Sequence, residues 1–220
     1  MLGLRTGREP VQRVLAIGAH SDDLEIGCAG TIVALAAANP GLTVHWVVLA
    51  APGGRGDEAR ASAETLLAGA DESTIDIHAF RDGYLPHTSA EVKDAFEELK
   101  GRCDPQLVLT HGRDDLHQDH RLVCELTWNT FRDHLILEYE IPKWDGDIGR
   151  PNVYVPLTTE QVDAKLKVLE GHFDSQRGKD WYDGETFRGL MRLRGMECRS
   201  ASGYAEAFVG RKLTLDASAG

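Results

Sequence analysis

The sequence predicts an α/β fold: a single Rossmann-like domain with a mostly parallel sheet and helices on both faces. Three observations predict it. Short, continuous apolar runs recur along the chain, as strands buried on both faces do. Segments of helical composition or spacing separate them with short connections, the alternation that builds parallel sheets. Turn residues such as Asn39-Pro40-Gly41 and Pro52-Gly53-Gly54 punctuate the alternation.

Each element has its own reason. Val14 to Ala19 (VLAIGA) is a buried strand, and a glycine-rich turn through Gly27 and Gly30 follows it. Thr31 to Ala38 is rich in alanine and stops at Asn39-Pro40-Gly41, so it reads as a helix. Thr43 to Ala50 (TVHWVVLA) is the second strand, and Asp57 to Gly69 is a helix with an acidic first turn that suits its dipole. Ser73 to Phe80 is a third strand, and Ser89 to Lys100 is a helix with Val92, Phe96 and Leu99 on one face. Gln106 to His111 is the fourth strand, Asp119 to His134 a helix and Leu135 to Ile141 the fifth strand. Less regular elements follow: a strand over Asn152 to Leu157, helices over Thr159 to Phe173 and Trp181 to Arg194, and an extended end from Ala205 to Leu215. No internal boundary divides the chain, so one domain is expected over residues 1–220, with residues 1–12 a loosely ordered N-terminus.

Composition narrows the function. The chain has 220 residues, 42% of them hydrophobic and 27% charged, a globular balance. A net charge of -11 argues against nucleic acid as a partner, since phosphates select basic surfaces. Cys28, Cys103, Cys124 and Cys198 form no C-x-x-C pair, which points to free thiols. No run approaches the ~18 apolar residues of a membrane span, and the N-terminus carries no signal-like stretch, so a cytoplasmic location is expected. Assembly into a homo-oligomer is compatible with this composition.

Two motifs carry chemistry. His20, Asp22 and Asp23 follow the first strand; His111, Asp114, Asp115, His117, Asp119 and His120 follow the fourth. If the fold is as predicted, both clusters open on one sheet edge. His and carboxylate groups suit a catalytic zinc, which takes three protein ligands and leaves a position for water. In Asp22-Asp23 one carboxylate can bind metal while the other faces the water. In His117-x-x-His120 both rings lie on one side of a helical turn, so one can ligate and the other reach toward developing charge. The bland alternative is that Asp22-Asp23 merely caps a helix and that the histidines are a surface or core pair. Taken together, the residues point to a mononuclear metal hydrolase of unspecified substrate.

The segment Ala19-His20-Ser21-Asp22-Asp23 with Gly27-Cys28-Ala29-Gly30-Thr31 resembles the A-H-P-D-D-x-x-x-G-x-G-G-T signature of the PIG-L/LmbE-like deacetylases, and His117-Gln118-Asp119-His120 resembles their H-x-D-H motif. Weaker matches are Arg55-x-x-Glu58-Ala59, Arg81-Asp82-Gly83-x-Leu85, Lys165 through His172 to Ser175-Gln176, and Tyr204 to Phe208. The resemblance spans Leu15 to Arg211. It implies removal of an N-acetyl group from an amino sugar or glycoside by a metal-bound water, with one Zn2+ per chain. It implies His20, Asp23 and His120 as metal ligands, Asp22 as general base, His117 as an imidazolium stabilising the oxyanion and Asp119 as a carboxylate orienting a histidine. Arg55 and Asp82 would contact sugar hydroxyls. Ser21 replaces the usual proline, Ala29 a common glycine, and the loop Ala51 to Gly54 lacks a glutamate many relatives carry, which puts the usual sugar contacts in doubt.

Other residues are open to two readings. His45 and His78 lie within strands and are expected to be structural, and Cys28 to be a small packing residue. His111, His172 and Gln176 either line the pocket or pack. One carboxylate of Glu138-Tyr139-Glu140 could reach the cleft, and Trp144, Trp181 and Tyr182 either stack on a sugar or fill the core. The competing functions are an amidase or phosphoesterase on the same ligands, a nucleotide- or sugar-binding module without chemistry, and an inactive relative. A two-metal phosphoesterase needs more bridging carboxylates than the motifs offer. The binding module lacks G-x-G-x-x-G and a Walker lysine, and intact His20, Asp22, Asp23 and His120 argue against inactivity.

Overall fold

Parallel strands follow one another through most of the chain: β1 (Arg13–His20), β2 (Thr43–Ala50), β3 (Glu72–Ile77), β4 (Leu107–His111) and β5 (Leu135–Tyr139). This is seen in a computed structural model that describes residues 10–214. Two later strands, β6 (Val153–Leu157) and β7 (Tyr204–Gly210), complete the sheet in the order β3-β2-β1-β4-β5-β7-β6, with β7 antiparallel to both neighbours. The mostly parallel α/β fold expected from the sequence is the one observed.

Alternation within β1 shows why the strands read as continuous apolar runs. Val14 and Ala16 enter one core layer with α1 (Asp23–Ala38), α2 (Gly54–Leu66), α5 (Thr159–His172) and α6 (Gly184–Cys198). Leu15 and Ile17 enter the other, with α3 (Ser89–Arg102) and α4 (Gln118–Thr130). Both faces are covered, so neither residue parity can be polar.

The largest difference from the sequence reading lies in α1. It starts at Asp23 rather than Thr31, and the glycines expected to form a turn lie inside it. They mark close approaches instead. A Cβ on Gly27 would stand 2.3 Å from a ring carbon of Tyr139, and Tyr139 Oη donates to the Ile17 carbonyl at 2.7 Å. At Gly30 the carboxylate of Glu206 on β7 approaches the helix. It accepts from the amides of Gly30 (2.9 Å) and Thr31 (2.7 Å) and from Lys165 Nζ (2.6 Å), which also reaches the Ile26 carbonyl.

Other boundaries shift for local reasons. α6 begins at Gly184, not Trp181, because Asp183 caps it and accepts from the Thr186 amide at 2.8 Å. α4 ends at Thr130 rather than His134, and buried Phe131 follows it. α2 begins at Gly54, before Asp57, and a short helical turn over Leu67–Gly69 completes it. Of the N-terminal segment expected to be loose, residues 1–9 lie outside the described residues. Val11 is buried and the Gln12 amide donates to Gln106 Oε1 at 2.7 Å, so its last part is anchored. Leu215, the expected end of the last extended segment, also lies outside them. Among the described residues no helix is long and apolar enough to cross a membrane, and all four cysteines are free.

The Gly27–Tyr139 contact is testable. Gly27→Ala should destabilise the protein by about 1–3 kcal/mol through overpacking, read as a lower denaturant midpoint. Adding Tyr139→Leu should recover part of the loss, and an unchanged midpoint for the single variant would contradict the packing.

Candidate metal centre

The site lies where the sheet parts. β1 pairs with β4 only from Val14 to Ala16, opposite Leu107 to Leu109; beyond this both strands continue without pairing to each other, to His20 and His111. The chain leaves β1 toward β2 while β4 lies on the other side, so a crevice opens at the carboxyl edge. His111 bridges it, accepting the Ala19 amide on Nε2 at 2.9 Å.

Donor atoms of three residues converge in the crevice, with both carboxylate oxygens of Asp23 among them. His20 Nδ1 lies 3.1 Å from His120 Nε2 and 3.2 Å from Asp23 Oδ2, and His120 Nε2 lies 3.5 Å from Asp23 Oδ1. Ligands at about 2.0–2.1 Å from a tetrahedral zinc stand roughly 3.3 Å apart, and each of these pairwise spacings, taken through one or the other oxygen of Asp23, is close to that value. Carboxylates fix which nitrogen of each ring faces the centre. Asp119 Oδ2 is 3.1 Å from His20 Nε2, and Asp115 Oδ2 is 2.8 Å from His120 Nδ1. Each ring can donate to its carboxylate and leave the other nitrogen's lone pair free. Overlapping groups that could hold an ion are His20-His117-His120, Asp23-His111-His120 and His20-Asp82-Asp119. His111 is the weaker donor, because its Nε2 lone pair already meets the Ala19 amide and its ring stacks parallel on His120, centroids 3.8 Å apart.

Charges follow from this packing. Burial alone would raise the Asp23 carboxyl, but His120 and His20 outweigh it and hold it well below the usual range. Burial would lower His20 and His120, and Asp23 beside them raises both. Burial first, and then Asp23, pushes Asp22 up to about 6. Burial and His120 push His111 down to about 4.

Asp22 occupies the N-cap position of α1 and makes no capping hydrogen bond, although it is only 4% exposed. Asp23 Oδ2 accepts the His20 amide instead, at 2.6 Å. The reading of Asp22-Asp23 as an ordinary cap therefore fails. His117 does cap its helix: Nδ1 accepts the Asp119 amide at 3.3 Å, and burial together with His120 lowers its pKa. The geometry describes a neutral ring with Nε2–H as donor, where the resemblance implied an imidazolium.

A model of the family PIG-L, GlcNAc-PI de-N-acetylase, matches residues 15–131, more than half the chain and both His/Asp clusters. The chain belongs to the PIG-L family. No protein of curated function matches it significantly. Solved structures of similar fold include the conserved protein TT1542 from Thermus thermophilus, 21% identical with 93% of this chain and 97% of that chain covered and a TM-score of 0.71. N,N'-diacetylchitobiose deacetylase from Pyrococcus horikoshii is 21% identical, with coverage of 91% and 85% and a TM-score of 0.67. GalB, the 4-carboxy-2-hydroxymuconate hydratase from Pseudomonas putida, is 20% identical, with coverage of 94% and 100% and a TM-score of 0.69. At these identities the likeness is one of fold.

In this PIG-L chain the remaining sequence candidates separate into two groups. Arg55, in the first turn of α2, donates from Nε to Ser21 Oγ at 3.2 Å, pairs with Asp82 and lies 3.8 Å from Asp22. Asp82 Oδ1 is 3.2 Å from His20 Nε2, so both residues stand at the site. Asp119 also accepts the amides of Gly83 and Leu85, fixing the loop that carries Asp82. Away from the site, Glu138 is held by Arg211 and Trp128, and Glu140 by Arg194, so neither carboxylate reaches the cleft. His172 lies beside Thr65, and buried Gln176 accepts from Lys179. His45 pairs with Asp76 between β2 and β3, a structural place, as expected.

Two residues had no assigned role. Asp115 was visible within the second cluster, but only the fold shows it on His120. Lys143, from the loop after β5, lies 3.1 Å from Asp115 and 2.5 Å from Asp147, and nothing local in sequence marks it. Asp115→Asn should keep the fold and weaken divalent-metal affinity about 10- to 100-fold, the usual cost of losing a ligand's supporting carboxylate. In the wild type, affinity should fall as pH drops, because raised His20 and His120 hold protons that the metal must displace. Competition titration with a chelator across pH measures both; unchanged affinity in the variant would remove Asp115 from the support of the site.

Proposed function

We propose that this protein is a zinc-dependent N-deacetylase that releases acetate from an N-acetylated amino sugar or glycoside. His20, Asp23 and His120 would hold the ion. A zinc ion there would lower the pKa of a water to about 7 and polarise the amide carbonyl. The observation that carries the reading is Asp22: a buried carboxyl, raised to about 6, at a helix start it does not cap, next to an ion-spaced donor set.

The remaining residues then have defined work. Asp22 takes the proton of the attacking water and delivers it to the departing nitrogen, a task suited to a carboxyl that burial raises above the ordinary range. His117 Nε2–H donates to the carbonyl oxygen as it gains negative charge. Arg55 and Asp82 exchange part of their mutual ion pair for sugar hydroxyls. Asp115 and Asp119 keep His120 and His20 in the ligating tautomers. Membership of a family described as a de-N-acetylase and a fold shared with a diacetylchitobiose deacetylase support the choice of reaction.

The test is release of free amine from N-acetyl sugars, free and glycosidically linked, by zinc-loaded protein. Amine release also separates amide hydrolysis from hydration, the chemistry of the hydratase that shares the fold. Asp22→Asn should lower kcat about 10²- to 10⁴-fold with metal retained. His117→Asn supplies another good capping side chain for α4 and removes the Nε2 donor; it should lower kcat about 10²- to 10³-fold more than it changes KM. Near-normal kcat in a metal-replete Asp22→Asn protein would overturn the mechanism, and absence of amine release from every N-acetyl sugar would overturn the substrate class.

A further inference from the structure

The exposed apolar side chains are unevenly placed. Four of the seven large hydrophobics that stay exposed among the described residues, Tyr84, Leu116, Trp144 and Ile148, lie on the loops that follow β3, β4 and β5 at the carboxyl edge. Each loop also carries a polar side chain tied to the candidate metal centre: Asp82, near Tyr84, meets His20; Asp115, beside Leu116, meets His120; and Lys143, beside Trp144, meets Asp115. Two of these loops are tied together where the Leu116 amide donates to Asp147 Oδ2 at 2.7 Å. Exposed apolar side chains beside polar ones on the same loops suit a ligand that is polar at one end only.

Trp144 is the most exposed of the seven, at 69%, and yet it is held in place. Its Nε1 donates to Asp180 Oδ1 at 2.7 Å, and its ring meets Trp181 edge-on, centroids 6.2 Å apart at 74°. Trp181 is itself packed against the core and set edge-on to Tyr182. An aromatic face fixed in orientation but left in water has little ordering left to lose when a ring stacks on it.

Position decides which part of a substrate it would meet. Arg55 and Asp82 follow β2 and β3, on one side of the β1–β4 crevice; Trp144 follows β5, on the other. A sugar with its acetamido group at His20 and His120 and its hydroxyls at Arg55 would have β5 on its opposite side. We propose, on the deacetylase reading given above, that Trp144, steadied by Asp180 and Trp181, is the subsite for a substituent on that side, and that the substituent presents a flat apolar ring face. An aryl group and the C–H face of a second pyranose share that chemistry.

Titration of the zinc-loaded protein with reaction products, which cannot turn over, tests the subsite directly. The probes are glucosamine, its 4-nitrophenyl glycoside and the fully deacetylated disaccharide chitobiose. Wild type should bind at least one ring-bearing probe about tenfold more tightly than glucosamine, the scale of one aromatic contact. Which probe gains identifies an aryl or a sugar ring. In Trp144→Ala that ratio should fall to near one, and Trp144→Phe should restore most of it. The same ratio should appear in KM rather than kcat for the corresponding N-acetyl substrates. A wild type that does not discriminate, or a Trp144→Ala protein that loses affinity for all probes alike, overturns the subsite. The deacetylase reading fails by a different result, no amine release, and the binding ratio decides the subsite independently of it.

Discussion

The carboxylate of Asp23 is the constraint around which this protein is built. It is 3% exposed, at the first turn of α1, and an unpaired charge there would cost several kcal/mol. The fold surrounds it with the His20 amide and the rings of His20, His111 and His120. Those partners come from three elements, so their meeting requires β1 and β4 to be adjacent and to diverge at their ends. Without a metal, protons on His20 and His120, both raised by Asp23, balance the carboxylate. A divalent ion held by the same donor atoms would balance it and free those protons, which would couple the electrostatics of the fold to the occupancy of the site.

Holding that carboxylate in register requires α1 to be fixed along its length as well as at its start. Tyr139 of β5 packs against Gly27, and the Glu206–Lys165 pair grips the helix at Ile26, Gly30 and Thr31. All three gripping residues lie beyond residue 131, where the family match ends. The C-terminal part of the chain, from β5 through β7, therefore supports a site whose polar donors lie in the N-terminal part. Lys143 does the same from the loop after β5, through Asp115 to His120.

Much of this was legible in the sequence, for a physical reason. Strands buried on both faces, such as Val14 to Ala19 and Thr43 to Ala50, must be apolar at every position, so they stand out. His20, Asp22, Asp23, His117 and His120 were legible because each cluster is contiguous and follows a strand end. The start of α1 is not legible in sequence because a glycine that lets a ring approach a helix looks the same there as one that makes a turn; only Tyr139, more than a hundred residues away, distinguishes them. Lys143 and the Glu206–Lys165 pair were hidden for the same reason, since their meaning lies in what the sheet order brings beside them. The neutral state of His117 was hidden because it depends on a helix cap and on burial, neither of which a motif records.

On the proposed reading, two imidazoles and one carboxylate, from His20, His120 and Asp23, form one ion site while His111 and His117 stand outside it. Zinc-edge X-ray absorption on protein loaded with one equivalent of zinc measures it most directly. The account predicts a four-coordinate first shell of two imidazole nitrogens and two oxygens at about 2.0–2.1 Å, without sulfur, unchanged in His117→Asn and reduced to one imidazole in His120→Ala. A shell with three imidazoles, or one that loses an imidazole in His117→Asn, would contradict it.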